Sequence, residues 1–451
     1  MATAADNLAQ NLSFANFSKA TDLKKRLWFT LGALVIFRLC SFVPLPGIDP
    51  VALDQLFNRT AGGVMDFFNM FSGGALERMS IIALGIMPYI TASIVVQLMA
   101  AIHEPWKQLK KEGETGRKKL NQYTRFGTVV LTIFQGYSIA VGMEAWGATS
   151  GVTAVIDPGW FFRISTIISL LGGTLFLMWL GEQITSRGIG NGISLIIMAG
   201  IVAQIPIALG GLLEQSRTGA ISVGFIFIVI VLLLAVIAFI CLMERAQRRI
   251  PIQYPKRQVG NRMFQGDTSH LPLKLNTAGV IPPIFASSLL LLPLTVAQFI
   301  GQAEGGGPDW LLAVTTSLQH GAPLYMGLYA AGIIFFSFFY TAVVFNPEET
   351  ADNLKKHGGF VPGIRPGEKT ATYLDYVLTR ITVVGAAYLT LVCLLPEFLI
   401  SQMAIPFYLG GTSLLIVVNV TMDTVAQIQG HLLAHQYEGL IKKAKLRGGR
   451  R

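Results

Sequence analysis

Nine stretches of this 451-residue chain, each at least 16 residues long, contain no Asp, Glu, Lys or Arg: 79–103, 126–143, 164–181, 188–213, 218–243, 275–303, 310–347, 381–396 and 398–422. A tenth, 27–46, is interrupted only by Arg38. A helix crosses the hydrocarbon of a bilayer with about 20 mostly apolar residues. A single water-soluble core has no room for this much apolar surface. In the 310–347 window, His320, Pro323 and other polar residues push the expected helix to 324–345. No window shows the strict alternation of a membrane β-barrel. The expected fold is an all-α polytopic membrane protein with ten transmembrane helices.

Composition closes the other routes. Charged residues are 13% and hydrophobic residues 52% of the chain, the reverse of a disordered segment. Cys40, Cys241 and Cys393 all lie in apolar runs and read as buried thiols, not as a disulfide framework. The first 22 residues are polar, and no small-residue cleavage site closely follows the first apolar run. That run is therefore expected to be retained as the first span.

Ten spans put both termini on one side, and basic residues choose which. Of the 35 Lys and Arg, 30 fall in the two tails and the even loops 101–125, 183–190, 244–274 and 346–380. The opposite side has only Arg59, Arg78, Arg163 and Arg217. Both termini are expected in the cytoplasm. The net charge of +10 largely reflects this asymmetry and is weak evidence for nucleic acid.

Enzyme signatures are missing: no HExxH, no GxSxG, and no glycine-rich loop ending in Lys-Ser/Thr. Of the six histidines, only His431 and His435 share ligand spacing, with no third ligand nearby, so no metal site and no cofactor are expected. The span interiors are almost empty of the ionisable residues that ion-coupled carriers use. Arg38 is the exception. It has the reach either to snorkel outward or to cap a buried carbonyl.

Three further features bear on function. Loops 244–274 and 346–373 are longer and more basic than orientation alone requires. They read either as docking surfaces for a large cytoplasmic partner or as solvated topogenic loops. The stretch Asn69-Met-Phe-Ser-Gly-Gly-Ala-Leu76 is too short to span. It lies in the interface or folds back at membrane depth, where only protein or a water cavity permits non-helical backbone. Finally, Gly85-Ile-Met-Pro-Tyr-Ile-Thr-Ala-Ser93 and Gly279-Val-Ile-Pro-Pro-Ile-Phe-Ala-Ser287 agree at five of nine positions. They fall on the second and seventh spans, an odd offset that makes the copies antiparallel, as in two inverted five-helix halves. Ile90 and Ile284 match within the repeat, either as helix packing or as a hydrophobic constriction. A solute carrier with an inverted repeat is the rival class; it would need charged or polar groups at mid-membrane.

At these motifs the chain resembles the SecY family, the pore subunits of bacterial protein-translocation channels. The resemblance runs from Leu23 to the C-terminus and rests on PLPGI at 44–48, the run from Asn69 to Met99, KKEGETGRKK at 110–119 and WLGEQITSRGIGNGISLII at 179–197. It continues through TSHLPLKLNTAGVIPPIFASS at 268–288, NPEETADNLKKHGGFVPGIRPGEKT at 346–370 and PFYLGGTSLLIVV at 406–418. It implies a central channel of the Sec translocon in the bacterial plasma (inner) membrane, passing unfolded polypeptides and releasing hydrophobic segments laterally into lipid. The halves would be 23–214 and 215–427, between an N-terminal tail 1–22 and a basic tail 428–451. The implied pore ring is Ile86, Ile90, Ile193, Ile197, Ile284 and Ile416. The implied plug is Phe68, Asn69, Met70, Phe71, Ser72, Gly73, Gly74, Ala75 and Leu76, and the lateral gate carries Thr91, Gln135 and Asn276. Docking of the motor ATPase SecA or the ribosome would use Arg248, Arg249, Lys256, Arg257, Arg262, Lys355, Lys356, Arg365 and Lys369. The remaining implied partners are the small subunits SecE and SecG, signal peptides, precursor polypeptides and membrane lipid.

Overall fold

The computed structural model describes residues 21–53, 69, 72–150, 154–219, 222–254, 257–259, 262–264, 268–290, 322–403 and 411–448. In chain order the helices are α1 (Thr21–Cys40), α2 (Met87–Ile102), α3 (Glu104–Lys111), α4 (Glu114–Ser150), α5 (Trp160–Arg187), α6 (Gly192–Arg217) and α7 (Val223–Arg245). After the strands β1 (Gln247–Gln253), β2 (Arg257–Val259), β3 (Arg262–Phe264) and β4 (Thr268–Lys274) comes α8 (Ile281–Leu290). The last helices are α9 (Pro323–Val344), α10 (Pro347–Lys356), α11 (Glu368–Met403) and α12 (Gly411–Gly448).

Every uncharged window carries a helix. Seven of the described helices are long and apolar enough to cross a membrane: α4, α5, α6, α7, α9, α11 and α12. Helices α2 and α8 are apolar but shorter, and α1 carries Lys24, Lys25, Arg26 and Arg38. The chain is a multi-pass membrane protein.

The edges of the windows are misleading in both directions. The 79–103 window yields a helix only from Met87, because 79–86 is a series of turns. Gly85 sits at φ +56°, a left-handed geometry that only glycine tolerates cheaply, and Pro88 lies in the first turn, where its missing N–H does no harm. Conversely, α4 starts at Glu114 and α11 at Glu368, well before their windows, because Glu, Lys and Arg are good helix formers once outside the bilayer. Helix α11 also runs through Glu397, so no break falls between the two last windows at that residue. The tail from 428 continues α12 as far as Gly448.

The 244–274 loop is a folded β-ribbon. Strands β1 and β4 pair antiparallel from Gln247↔Lys274 to Gln253↔Thr268. Ile250 and Ile252 alternate inward along β1, the period-two pattern of a half-buried strand. The 346–373 segment is likewise structured. Asn346 caps α10 by accepting from the Glu348 and Glu349 backbone N–H groups; Glu348 and Glu349 then sit in its first turn and Lys355 and Lys356 in its last.

The chain divides into two compact units. The first holds the chain up to Leu209 and from Ile416 onward; the second is mainly Gly210 to Leu415. In the first, Leu45, Ile48, Leu76, Met79, Leu84, Met143, Phe162 and Leu170 form a buried cluster that gathers the 73–86 turns against α4 and α5. In the second, Ile250, Leu273, Val361, Leu374, Val377 and Ile381 join the ribbon to α11.

Candidate functional site

The nine-residue repeat is the seed of a larger equivalence, visible inside each unit separately. In the first unit, Gly85 (φ +56°) precedes α2 by two residues; in the second, Gly279 (φ +64°) precedes α8 by two. A Cβ built on Gly127 of α4 would lie 3.3 Å from the Ala92 Cβ, and one on Gly332 of α9 would lie 3.1 Å from the Ala286 Cβ. Gly173 of α5 abuts the carbonyl of Ile81, and Gly385 of α11 abuts that of Leu275, each four residues before the turn glycine. Gly192, at the start of α6, abuts the Gly181 carbonyl of α5; Gly411, at the start of α12, abuts the Val392 carbonyl of α11. One turn glycine and three close approaches recur in the same order, so each unit contains one copy of the same packing scheme.

The isoleucines named from the sequence hang on these helix starts. Ile86 is the residue capping α2, and Ile90, fourth in the helix, bonds its N–H back to the Ile86 carbonyl at 3.0 Å. Ile284 is the fourth residue of α8. Ile193 and Ile197 share one face of α6 a turn apart, with Ile193 lying against Gly181. Ile416 sits near the start of α12. Ile86, Ile90, Ile197, Ile284 and Ile416 are buried, and Ile193 is half-buried. Five belong to the first unit and Ile284 to the second.

Of the predicted plug, Phe68, Met70 and Phe71 lie outside the described residues. Asn69 and Ser72 are helical, Gly73, Gly74, Ala75 and Leu76 follow as a compact non-helical turn, and Ser72 to Leu76 are buried. Its backbone is satisfied locally. The Gly74 N–H donates to the Asn69 carbonyl at 2.9 Å, the Leu76 N–H to Ser72 Oγ at 3.2 Å and the Ser80 N–H to the Ala75 carbonyl at 2.9 Å. Asn69 closes the loop with two bonds to Glu77, accepting from its N–H at 2.9 Å and donating to Oε2 at 3.0 Å. The described part of the segment is thus packed against protein. Arg38 takes the capping option: its Nη1 donates to the Gly73 carbonyl at 2.6 Å.

The residues predicted for the gate differ in how they are held. Thr91 returns its hydroxyl to the Met87 carbonyl of its own helix at 3.1 Å. Gln135 on α4 has a buried Oε1 with no hydrogen-bond partner among the described residues. Asn276 is committed inside the second unit: its Nδ2 donates to Glu244 Oε1 at 2.6 Å and to the Gly279 carbonyl at 3.1 Å. Glu244, at the end of α7, is a contact that sequence reasoning missed. It is only 7% exposed. Nothing in the residues around it signals burial.

The two basic loops form one body. The Gln253 and Phe360 backbones exchange hydrogen bonds at 2.9 and 3.0 Å, stitching the ribbon to the turn after α10. Arg248 and Arg249 project from β1, Lys355 and Lys356 from the end of α10, and Arg365 and Lys369 from the following turn and α11; all six are exposed. Arg257 and Arg262 lie on the small β2–β3 hairpin, and Lys256 lies outside the described residues. Thr370 Oγ1 donates to the Arg365 carbonyl at 3.0 Å, which fixes the backbone from which that guanidinium extends. Among the described residues no cluster of three His, Cys, Asp or Glu could hold a metal.

Comparison with known proteins agrees with this arrangement. The sequence model of the SecY family matches residues 80–425. The chain is 57% identical over 432 residues to the protein translocase subunit SecY of Vibrio cholerae, covering 96% of each chain. It is 56% identical over 427 residues to that of Escherichia coli, covering 95% of this chain and 96% of the relative. Its fold is similar to the structure of a protein-conducting channel, with a TM-score of 0.66 at 18% identity over 91% of this chain and 92% of that one. A channel in a canine ribosome-channel complex gives a TM-score of 0.63 at 17% identity over the same shares. The chain belongs to the SecY family, the channel-forming subunits of protein translocases in the bacterial inner membrane, and works as a conduit and not as an enzyme.

Proposed function

We propose that the chain carries unfolded precursor polypeptides through a constriction made by Ile86, Ile90, Ile193, Ile197, Ile284 and Ile416, closed at rest by the 68–76 plug. The chain is built of two inverted halves, 23–214 and 215–427, and hydrophobic segments leave sideways at a gate bearing Thr91, Gln135 and Asn276. Both termini are cytoplasmic. The joined ribbon and α10 turn receive the motor ATPase SecA or the ribosome through Arg248, Arg249, Lys256, Arg257, Arg262, Lys355, Lys356, Arg365 and Lys369. SecE and SecG complete the assembly, and signal peptides and lipid meet the chain at the gate.

The observation that carries this reading is the buried turn at 73–76. Non-helical backbone is tolerated at membrane depth only when protein satisfies its polar groups, and here each bond closes locally or onto Arg38. A structural spacer has no need of that; a stopper that must move as a piece does. Deleting 68–76 should raise the resting ion conductance of the reconstituted channel while SecA-driven translocation, read by protease protection of a precursor, persists. Unchanged conductance would refute the plug.

A further inference from the structure

The plug turn is unusually self-contained. Among the described residues, the hydrogen bonds of Ser72 to Leu76 run within 69–80, with a single exception: the bond from Arg38 Nη1 to the Gly73 carbonyl. Otherwise the seat is steric. Gly73, at φ +69°, rests on Gly200 of α6, so that an added Cβ would come within 2.9 Å of the Gly200 Cα. Gly74 rests on the amide of Gln204, one turn further along α6.

Around this contact the seat holds a surplus of donors. Arg78 Nη1 and Gln204 Nε2 are buried with no hydrogen-bond partner among the described residues. The Arg38 guanidinium lies 5.1 Å from the Phe42 ring centroid, and that of Arg78 lies 4.4 Å from the same ring. A cation over an aromatic face keeps part of its stabilisation without any hydrogen bond. When the Gly73 carbonyl departs, Arg38 therefore retains a partner, and opening does not strand an unpaired buried charge.

We propose that Arg38 is the latch of the plug. It is a positioning residue whose one charge-assisted hydrogen bond sets how much of the resting population is closed, while Phe42 holds its guanidinium after release. The inference rests on the plug reading above. Loss of a hydrogen bond from a charged donor should raise the open fraction at rest by about tenfold to a hundredfold.

The test compares resting conductance in planar bilayers for the reconstituted wild-type channel, Arg38→Met, Arg38→Lys, the channel lacking 68–76, and the deletion combined with Arg38→Met. Arg38→Met should leak, approaching the deletion, and Arg38→Lys, which keeps a donor, should recover most of the closure. In the deletion background Arg38→Met should add nothing, since the carbonyl it engages is gone. A merely structural arginine would add its damage there. A leaky deletion with a tight Arg38→Met channel overturns the latch and leaves the plug standing; a tight deletion overturns both. Additive leakage in the combined variant also overturns the latch. Should Arg38→Met fail to accumulate, Gly73→Ala disturbs the same seat from the plug side, and a tight Gly73→Ala channel overturns the proposal.

Discussion

Glu244→Ala severs the tie between the end of α7 and the approach to α8. The bond is short, 2.6 Å from Asn276 Nδ2 to Glu244 Oε1, and both residues are nearly inaccessible, at 5% and 7% exposure. Removing one partner of a buried pair costs more than the bond itself is worth, because the survivor stays desolvated; here Asn276 would keep only its bond to the Gly279 carbonyl at 3.1 Å. The expected loss is about 2–3 kcal/mol. Glu244→Gln keeps an acceptor at the same reach and should lose about 1 kcal/mol or less. Thermal unfolding of the purified protein reads both variants. For a unit of this size each kcal/mol lowers the midpoint by about 2–4 °C. Because Asn276 belongs to the proposed gate, Glu244→Ala should also relax signal-sequence discrimination while Glu244→Gln leaves it near normal. Coincident melting of Glu244→Ala and wild type would refute the reasoning, and so would equal losses in the two variants.

Arg365→Glu should cripple SecA-driven translocation without lowering the melting point, because the side chain is exposed and the turn beneath it is held by Thr370; normal motor binding and translocation would contradict this. Replacing Ile90 and Ile284 together with Asn should raise ion leak, since a narrow apolar gap stays dry until it is given hydrogen-bonding groups. If the two are ordinary core, the same variant should instead lose about 1–3 kcal/mol per buried amide and remain tight, so conductance and melting measured together decide. Gly385→Ala places a Cβ 2.7 Å from the Leu275 carbonyl oxygen and should destabilise by about 1–3 kcal/mol through overpacking. A neutral melting curve for that variant would argue against the repeated packing scheme.

The spans were legible because charge is excluded from hydrocarbon at a cost of several kcal/mol, a rule strong enough to read from composition alone. Their ends were not, because outside the bilayer that rule lapses: charged Glu114 to Arg125 continue α4, while uncharged Met79 to Ile86 do not belong to α2. The ribbon was hidden for another reason. In Gln247–Gln253 the inward pair Ile250 and Ile252 is separated by Pro251, and the partner strand lies beyond a further hairpin. The repeat was visible as nine residues, but its larger extent rests on glycines chosen for backbone contact. A glycine in sequence does not say what it touches. Arg38 was visible as an anomaly, and only geometry chose between its two options.

The treatment of polar side chains along the first unit carries the argument one step further. On α4, Thr124, Thr128 and Thr132 form a stripe at four-residue spacing, and each hydroxyl returns to the carbonyl one turn earlier, at 3.0, 2.8 and 2.7 Å. Thr91 on α2 does the same. A hydroxyl folded back onto its own helix presents little to a passing chain. A solute carrier needs the opposite, a few polar groups aimed into its cavity to fix one ligand. In the first unit, Gln135, on the same helix as the threonine stripe, is the proposed gate residue whose buried Oε1 lacks a partner among the described residues. If the gate opens by exchanging partners, Gln135 is the group with capacity to accept one, and the threonines are the groups kept out of the exchange. Gln135→Leu should then shift the threshold at which signal sequences open the channel, whereas Thr128→Val should leave that threshold unmoved. A shift of equal size in both would mean that the stripe, and not the single unpaired amide, faces the gate.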